Sequence, residues 1–221
     1  MRVVPNLYPA FAGQEVVVHG PGHTRSLAEL DDVLLALVAE AWRQRARARR
    51  EEGLTHLQAL VNEGREAGAS LTHSHSQLVW LPEEPPLAAA EAGRPCRICA
   101  AVELELREGT RVVAERDGVV LLCPWAGRMP YELLVAPVEH EPDGFDSERL
   151  GTALALAADG LRRLRRVEGP RPANLWLHNG AHWHLELLPQ LTILAGLELG
   201  AGVYLNPLAP EQDAEALREA G

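Results

Sequence analysis

An internal repeat constrains this chain more than any other feature. Glu15-Val-Val-Val-His-Gly-Pro-Gly-His23 lays onto Glu132-Leu-Leu-Val-Ala-Pro-Val-Glu-His140, each an apolar run that ends a few residues before a histidine. A long amphipathic helix follows in both places. The first is predicted from Ser26, as N-cap, to about Arg50, with Leu27, Leu30, Leu34, Leu37, Val38, Ala41 and Trp42 at helical spacing. The second runs from Ser147 to Arg166 on Leu150, Leu154, Leu161 and Leu164. A short strand with a polar end comes next, Leu57 to Gly64 in one copy and Asn174 to Gly180 in the other. Each copy then closes on a histidine strand, His73-Ser-His75-Ser-Gln77-Leu-Val-Trp-Leu-Pro82 echoed by His182-Trp-His184-Leu-Glu186-Leu-Leu-Pro189. Shared order of this kind implies two like-folded units in tandem. The Pro-, Ala- and Gly-rich stretch from Pro82 to Pro95 reads as the linker between them.

In an extended strand successive side chains alternate faces, so His73, His75 and Gln77 share one face while Ser74 and Ser76 take the other. A purely structural strand has no use for such a row. A neutral imidazole is a good metal ligand and a good nucleophile toward phosphorus, and an amide can donate to a phosphoryl oxygen without adding a proton-transfer partner. The row therefore points to metal binding, phosphoryl-type transfer, or both.

At 221 residues, 47% apolar and 24% charged, the composition is that of an ordinary globular protein. A net charge of −10 argues against a nucleic-acid groove, which needs a clustered positive field. The one basic tract, Arg43 to Arg50, ends a helical pattern and reads as a solvated helix end. All 21 basic residues are arginine, so no lysine nucleophile or Schiff base is available. Nothing at the N-terminus resembles a signal peptide, and no apolar run reaches the roughly 18 residues that cross a bilayer. The expectation is a cytoplasmic protein. Three cysteines are too few for a disulfide scaffold, and the Cys96-Arg-Ile-Cys99 spacing favours metal in a reducing compartment.

The repeat recruits histidines to that pair. Cys96, Cys99, His140 and His182 form the soft donor set that zinc prefers, gathered by the fold as a closed structural site. The alternative is a reduced CxxC beside two unrelated histidines. In the first unit the cysteine counterpart, 44 residues before His23 as Cys96 is before His140, falls upstream of Met1. His23 and His73 then read as half of a second, incomplete zinc site. Either that unit lost its metal or the chain begins late; the strand-like opening Met1 to Asn6 favours the second.

Val3-Val-Pro-Asn-Leu-Tyr-Pro-Ala10, Gly68-Ala-Ser-Leu-Thr-His-Ser-His-Ser-Gln77, Arg128-Met-Pro-Tyr-Glu132, and Ala195-Gly-Leu-Glu-Leu-Gly200 followed by Tyr204-Leu-Asn-Pro occur in the order of one known family. Over nearly its whole length the chain resembles galactose-1-phosphate uridylyltransferase, of the histidine-triad superfamily. The resemblance implies an α+β fold of two tandem histidine-triad-like domains, each a mainly antiparallel sheet with a long helix packed on it. Residues 1–85 are the first, N-terminally incomplete and carrying the nucleophile; residues 86–221 are the second, with the zinc site. Family members normally carry a further N-terminal segment with a CxxC and nucleotide-holding arginines.

The resemblance also implies ping-pong transfer of UMP from UDP-glucose to galactose 1-phosphate through a covalent uridylyl group on His75. One ring nitrogen of His75 must be held as a donor by a backbone carbonyl, leaving the other free to attack. Gln77 and Ser70 match phosphate-contacting positions, Asn62 and Asn6 nucleotide-side positions, and Glu198 a sugar-contacting one. His184 and Glu186 are non-catalytic by the same comparison. Family members are commonly homodimers with shared active sites, and their partners are nucleotide sugars and hexose 1-phosphates rather than nucleic acid or membrane.

Gln77, where hydrolytic members of the superfamily commonly have histidine, favours transfer over hydrolysis. The absence of lysine and the presence of Leu197 leave the sugar acceptor open. A related branch that acts on ADP-sugars with inorganic phosphate as acceptor is the alternative reading, and an inactive, zinc-stabilised truncated homologue is another. Cys123 reads as a buried apolar filler, and His19, His56 and His178 as residues satisfying hydrogen bonds at strand ends. Trp80, Trp125, Trp176 and Trp183 are expected between sheet and helices.

Overall fold

Two long helices lie side by side on one face of a nine-stranded antiparallel sheet in the computed structural model, which describes residues 1–91 and 95–221. The first repeat supplies β1 (Arg2–Pro5), β2 (Glu15–Val18), helix α1 (Asp32–Glu51), β3 (His56–Glu63) and β4 (His75–Leu81). Helices α2 (Pro86–Glu91) and α3 (Arg97–Glu108) follow. The second repeat supplies β5 (Val112–Arg116), β6 (Val119–Leu122), β7 (Leu133–Pro137), helix α4 (Leu150–Glu168), β8 (Ala173–His178) and β9 (His184–Pro189). Helices α5 (Gly196–Ala201) and α6 (Pro210–Glu219) end the chain. Among the described residues, no helix is long and apolar enough to cross a membrane.

The strand order is β1-β2-β4-β3-β8-β9-β7-β6-β5. Outward from the central β3/β8 pair, β4, β2 and β1 on one side answer to β9, β7 and β6 on the other, with β5 additional. The repeat in sequence is thus a twofold-like repeat in space. Leu60 lies opposite Trp176, Gln77 opposite Leu60, and Glu186 opposite Trp176, with Val16 and Leu134 at the two ends. Gln77 and Glu186 therefore hold matching positions. The pairing equates Val16 with Leu134, where the sequence overlay matched it to Leu133. The stretch between strand and histidine is one residue shorter in the second repeat.

Alternation decides which face is which. In β3, Leu57, Ala59 and Val61 are buried beneath the helices, while His56, Gln58, Leu60 and Asn62 face the other way. Trp42 of α1 sits in the rear core and donates its indole N–H to Ser76 Oγ at 2.8 Å. Gly160 lets α4 approach β7 closely, since a Cβ there would lie 2.6 Å from Leu133 Cδ1. On the opposite face, α3 packs Val102, Ile98 and Leu106 onto Val120, Leu122 and Ala136. It covers only the β5–β7 end and leaves the surface from β2 to β9 clear of it.

Four local expectations change. Helix α1 begins after Asp31, whose Oδ1 accepts Leu34 N–H at 2.8 Å; Ser26 instead caps a separate 3-10 turn, Leu27–Glu29. The apolar spacing ran on through both because the turn buries Leu27 on the same core. The linker contains α2, and residues 92–94 of it lie outside the described residues. The arginine tract is a docking face as well as a solvated end: Arg45 and Arg49 grip buried Glu15, and Arg50 holds Asp143 and Asp146. Among the tryptophans, Trp80 and Trp183 are core residues, whereas Trp125 is 73% exposed and Trp176 lies on the open face.

Candidate active site and metal centres

The expected face-sharing row begins where the extended strand begins, at His75. His75 is buried, and its Nδ1 is 2.8 Å from the carbonyl oxygen of His73, so Nδ1–H donates there and Nε2 carries the lone pair. A backbone carbonyl thus orients the ring, in the way the resemblance implies. Behind it, Ser74 is fixed twice: its N–H donates to Thr24 O at 2.8 Å, and its Oγ hydrogen-bonds His19 Nδ1 at 2.9 Å. His19 is fully buried. Burial first, then the nearby charges of His75 and His73, lower its pKa to about 3, so the ring behind the site is neutral.

Gln77, half-buried, accepts at Oε1 from Gln14 Nε2 at 2.8 Å. The β3–β4 register carries Asn62 to the level of His75, and Asn62 Oδ1 accepts from Asn174 Nδ2 at 2.8 Å across the central strand pair. Next to these residues a cavity of about 510 Å³ opens on the same face, lined by Gln58, Leu60, Asn62, Asn174, Trp176 and His178 with Pro85 to Ala88 above. Asn6 turns the loop after β1, its Oδ1 accepting Tyr8 N–H, and Ser70 is exposed in the loop before His73. Glu198 caps its own helix α5 by accepting Ala195 N–H at 2.9 Å, beside exposed Ile193 and Leu199.

Cys96, Cys99, His140 and His182 come together from α3 and the ends of β7 and β9, with ligand atoms within 4.8 Å of one another. Cys99 Sγ is 3.2 Å from Nδ1 of both histidines. His182 directs Nε2 to Pro137 O at 3.0 Å, which leaves Nδ1 as the ligand atom. Two thiols and two imidazoles so disposed fit zinc. His73 makes the equivalent bond, Nε2 to Gly20 O at 3.1 Å, while His23 is exposed in the loop after β2.

A second cluster was not read from the sequence. Glu91, His178, His184 and Glu186 bring their ligand atoms within 4.8 Å, so His178 does more than finish a strand. The His178 and His184 rings stack at 4.7 Å, and His178 Nε2 lies 3.2 Å from Glu186 Oε1. Burial alone would raise the Glu186 pKa, but hydrogen bonds from His178 and His184 and the charge of Arg128 hold it far below the usual carboxylate range. Arg128 bridges Glu132 and Glu186 and lies over Trp176. Two imidazoles and two carboxylates could hold a divalent metal. Glu186 at the Gln77 position was the available signal; Glu91 gave none.

A twice-repeated strand unit orients His75 in one copy and gathers cysteine and histidine in the other, the arrangement that the resemblance implies. Residues 10–85 match the model of the galactose-1-phosphate uridyl transferase N-terminal domain. The chain is 28% identical to ADP-glucose phosphorylase of Arabidopsis thaliana, over 99% of this chain and 74% of that one. It is 26% identical to galactose-1-phosphate uridylyltransferase of Thermotoga maritima, over 93% and 73%. A crystal structure of Arabidopsis thaliana ADP-glucose phosphorylase with bound ADP-glucose superimposes with TM-score 0.87 at 26% identity, covering 99% of this chain and 81% of that one. Over nearly its whole length the chain is thus similar to galactose-1-phosphate uridylyltransferase-like proteins.

Proposed function

We propose that the chain transfers a nucleotidyl group from a nucleoside-diphosphate sugar through a covalent intermediate on His75, with UDP-glucose as donor and a hexose 1-phosphate as acceptor. The observation that carries this is the His75 Nδ1–H bond to His73 O, which leaves the lone pair on Nε2. Nε2 attacks the α-phosphorus, and the bond to the bridging oxygen breaks with its electron pair leaving on the sugar 1-phosphate. A phosphate oxygen of the acceptor then attacks the same phosphorus, and the P–N bond breaks back to His75. Gln77 Nε2 donates to a non-bridging oxygen in both steps. Asn6 and Asn62 hold the nucleotide side, Ser70 a phosphate oxygen and Glu198 the sugar.

Zinc at Cys96, Cys99, His140 and His182 ties α3 to the sheet and supplies no chemistry. His23 and His73 are proposed as ligands of a second zinc site.

A second reading keeps His75 and changes the substrates: an ADP-sugar as donor and inorganic phosphate as acceptor. The relative that is an ADP-glucose phosphorylase favours it. Incubation with UDP-glucose or ADP-glucose followed by intact-mass measurement separates the two by whether UMP or AMP is found on His75. Absence of both adducts from folded protein would overturn the shared mechanism.

A further inference from the structure

Gln77 can assist phosphoryl transfer only with its NH2 group toward the substrate, because its carbonyl would repel a phosphoryl oxygen. A terminal amide turns readily between these orientations, so the surroundings must choose. The choice begins outside the histidine strand. The backbone N–H of Ala10, which can only donate, meets Gln14 Oε1 at 2.8 Å, and this identifies that atom as the Gln14 carbonyl. Gln14 Nε2 then donates to Gln77 Oε1 at 2.8 Å. With its carbonyl engaged, Gln77 is left with Nε2 as the atom for a ligand. Gln14 is itself only 7% exposed, and its own backbone closes the loop through Asn6 N–H to Gln14 O and Gln14 N–H to Phe11 O.

The second repeat contains the same device with different chemistry. By the strand register, an offset of 118 residues equates Val16 with Leu134, and it carries Ala10 to Arg128 and Gln14 to Glu132. Arg128 N–H donates to Glu132 Oε2 just as Ala10 N–H donates to Gln14 Oε1. There the partner on the next strand is Glu186, and two carboxylates cannot hydrogen-bond each other directly. The Arg128 guanidinium stands between them instead. One repeat thus uses an amide pair that has a direction, and the other a carboxylate pair that has none.

We propose that Gln14 is a positioning residue that fixes the donor orientation of the Gln77 amide. The proposal rests on the phosphoryl-holding role given to Gln77 above. Gln14→Glu is the informative variant, because it keeps size and Ala10 N–H bond but offers Gln77 only an acceptor. Gln77 must then turn its NH2 inward, into a charge-assisted bond, and its carbonyl outward. The full chain carrying Gln14→Glu is expected to keep its melting temperature while adduct formation on His75 slows by about 100-fold or more, the loss typical of removing one preorganised donor. Gln14→Met, which frees the amide to rotate, is expected to slow it by about tenfold, and it serves as the test if Gln14→Glu does not fold. A folded Gln14→Glu protein, or failing that Gln14→Met, that forms the adduct at the wild-type rate overturns the proposal and leaves the His75 reading intact. If the wild-type protein forms no adduct, the His75 reading fails, and NMR of the Gln77 side-chain amide decides the proposal alone. A downfield shift of its protons in Gln14→Glu supports the proposal; unchanged resonances in both variants overturn it.

Discussion

His75 hands its Nδ1–H to the carbonyl oxygen of His73 at 2.8 Å, and His184 repeats this toward His182 at 3.0 Å. In both repeats the same backbone turn takes the Nδ1–H. In the second, His184 Nε2 lies 3.5 Å from Glu186. Replacing His75 by Asn is expected to abolish adduct formation, a loss above about 1000-fold in single-turnover rate. His184→Asn is expected to leave the adduct detectable by mass while lowering the melting temperature.

Cys99 touches both histidines of the proposed zinc site. Cys99→Ser is expected to lose the zinc measured by elemental analysis of the purified protein. A chelator should then lower the melting temperature of the wild-type protein and leave the variant unchanged. Equal zinc in both proteins would exclude the site.

His19 sets a pH window. Its folded pKa of about 3 lies below the unfolded value of 6.5, so well above pH 6.5 neither state binds the proton and the contribution of His19 to stability does not change with pH. Below 6.5 the unfolded chain takes up a proton that the folded one refuses, and stability falls by up to about 1.4 kcal/mol per pH unit until the folded pKa is reached. The groups facing the ring are Ser74, His73 and His75. His184, with a raised pKa, works in the opposite direction, so the measurement is a difference. Urea unfolding between pH 6.5 and about 5 should show a shallower fall for His19→Phe than for wild type.

Gly160 is where α4 comes close against Leu133 and Leu121 of the sheet. Gly160→Ala places a methyl against Leu133 and is expected to cost about 1–3 kcal/mol, despite the better helix propensity of alanine. Chemical denaturation reads this directly; a stabilised variant would contradict the packing.

The order of elements, the shared face of His75 and Gln77, and the Cys96–Cys99–His140–His182 group were legible because each has a period or a spacing in the chain. Alternation every second residue tells faces apart, and the repeat tells which histidines belong to the CxxC. Gln14, His19, Glu91 and Arg128 carry no such mark. Gln14 meets Gln77 across 63 residues and His19 meets Ser74 across 55, pairings made by strand neighbours and not by any local pattern. The tryptophans failed as markers for a related reason. Size predicts burial on average, but Trp176 covers the open face beneath Arg128, where a flat ring is useful without being enclosed.

The central β3/β8 pair has a consequence for how the molecule can be divided. Leu60, Val61, Asn62 and Glu63 are laddered to Trp176, Leu175, Asn174 and Ala173, so each repeat ends inwardly on a strand one edge of which is paired by the other repeat. Severed from its partner, either repeat would present a bare strand edge beside apolar Leu60 or Trp176, the kind of edge that recruits further strands. The two repeats are therefore bound to a common fate in solubility, although His75 stands in only one of them.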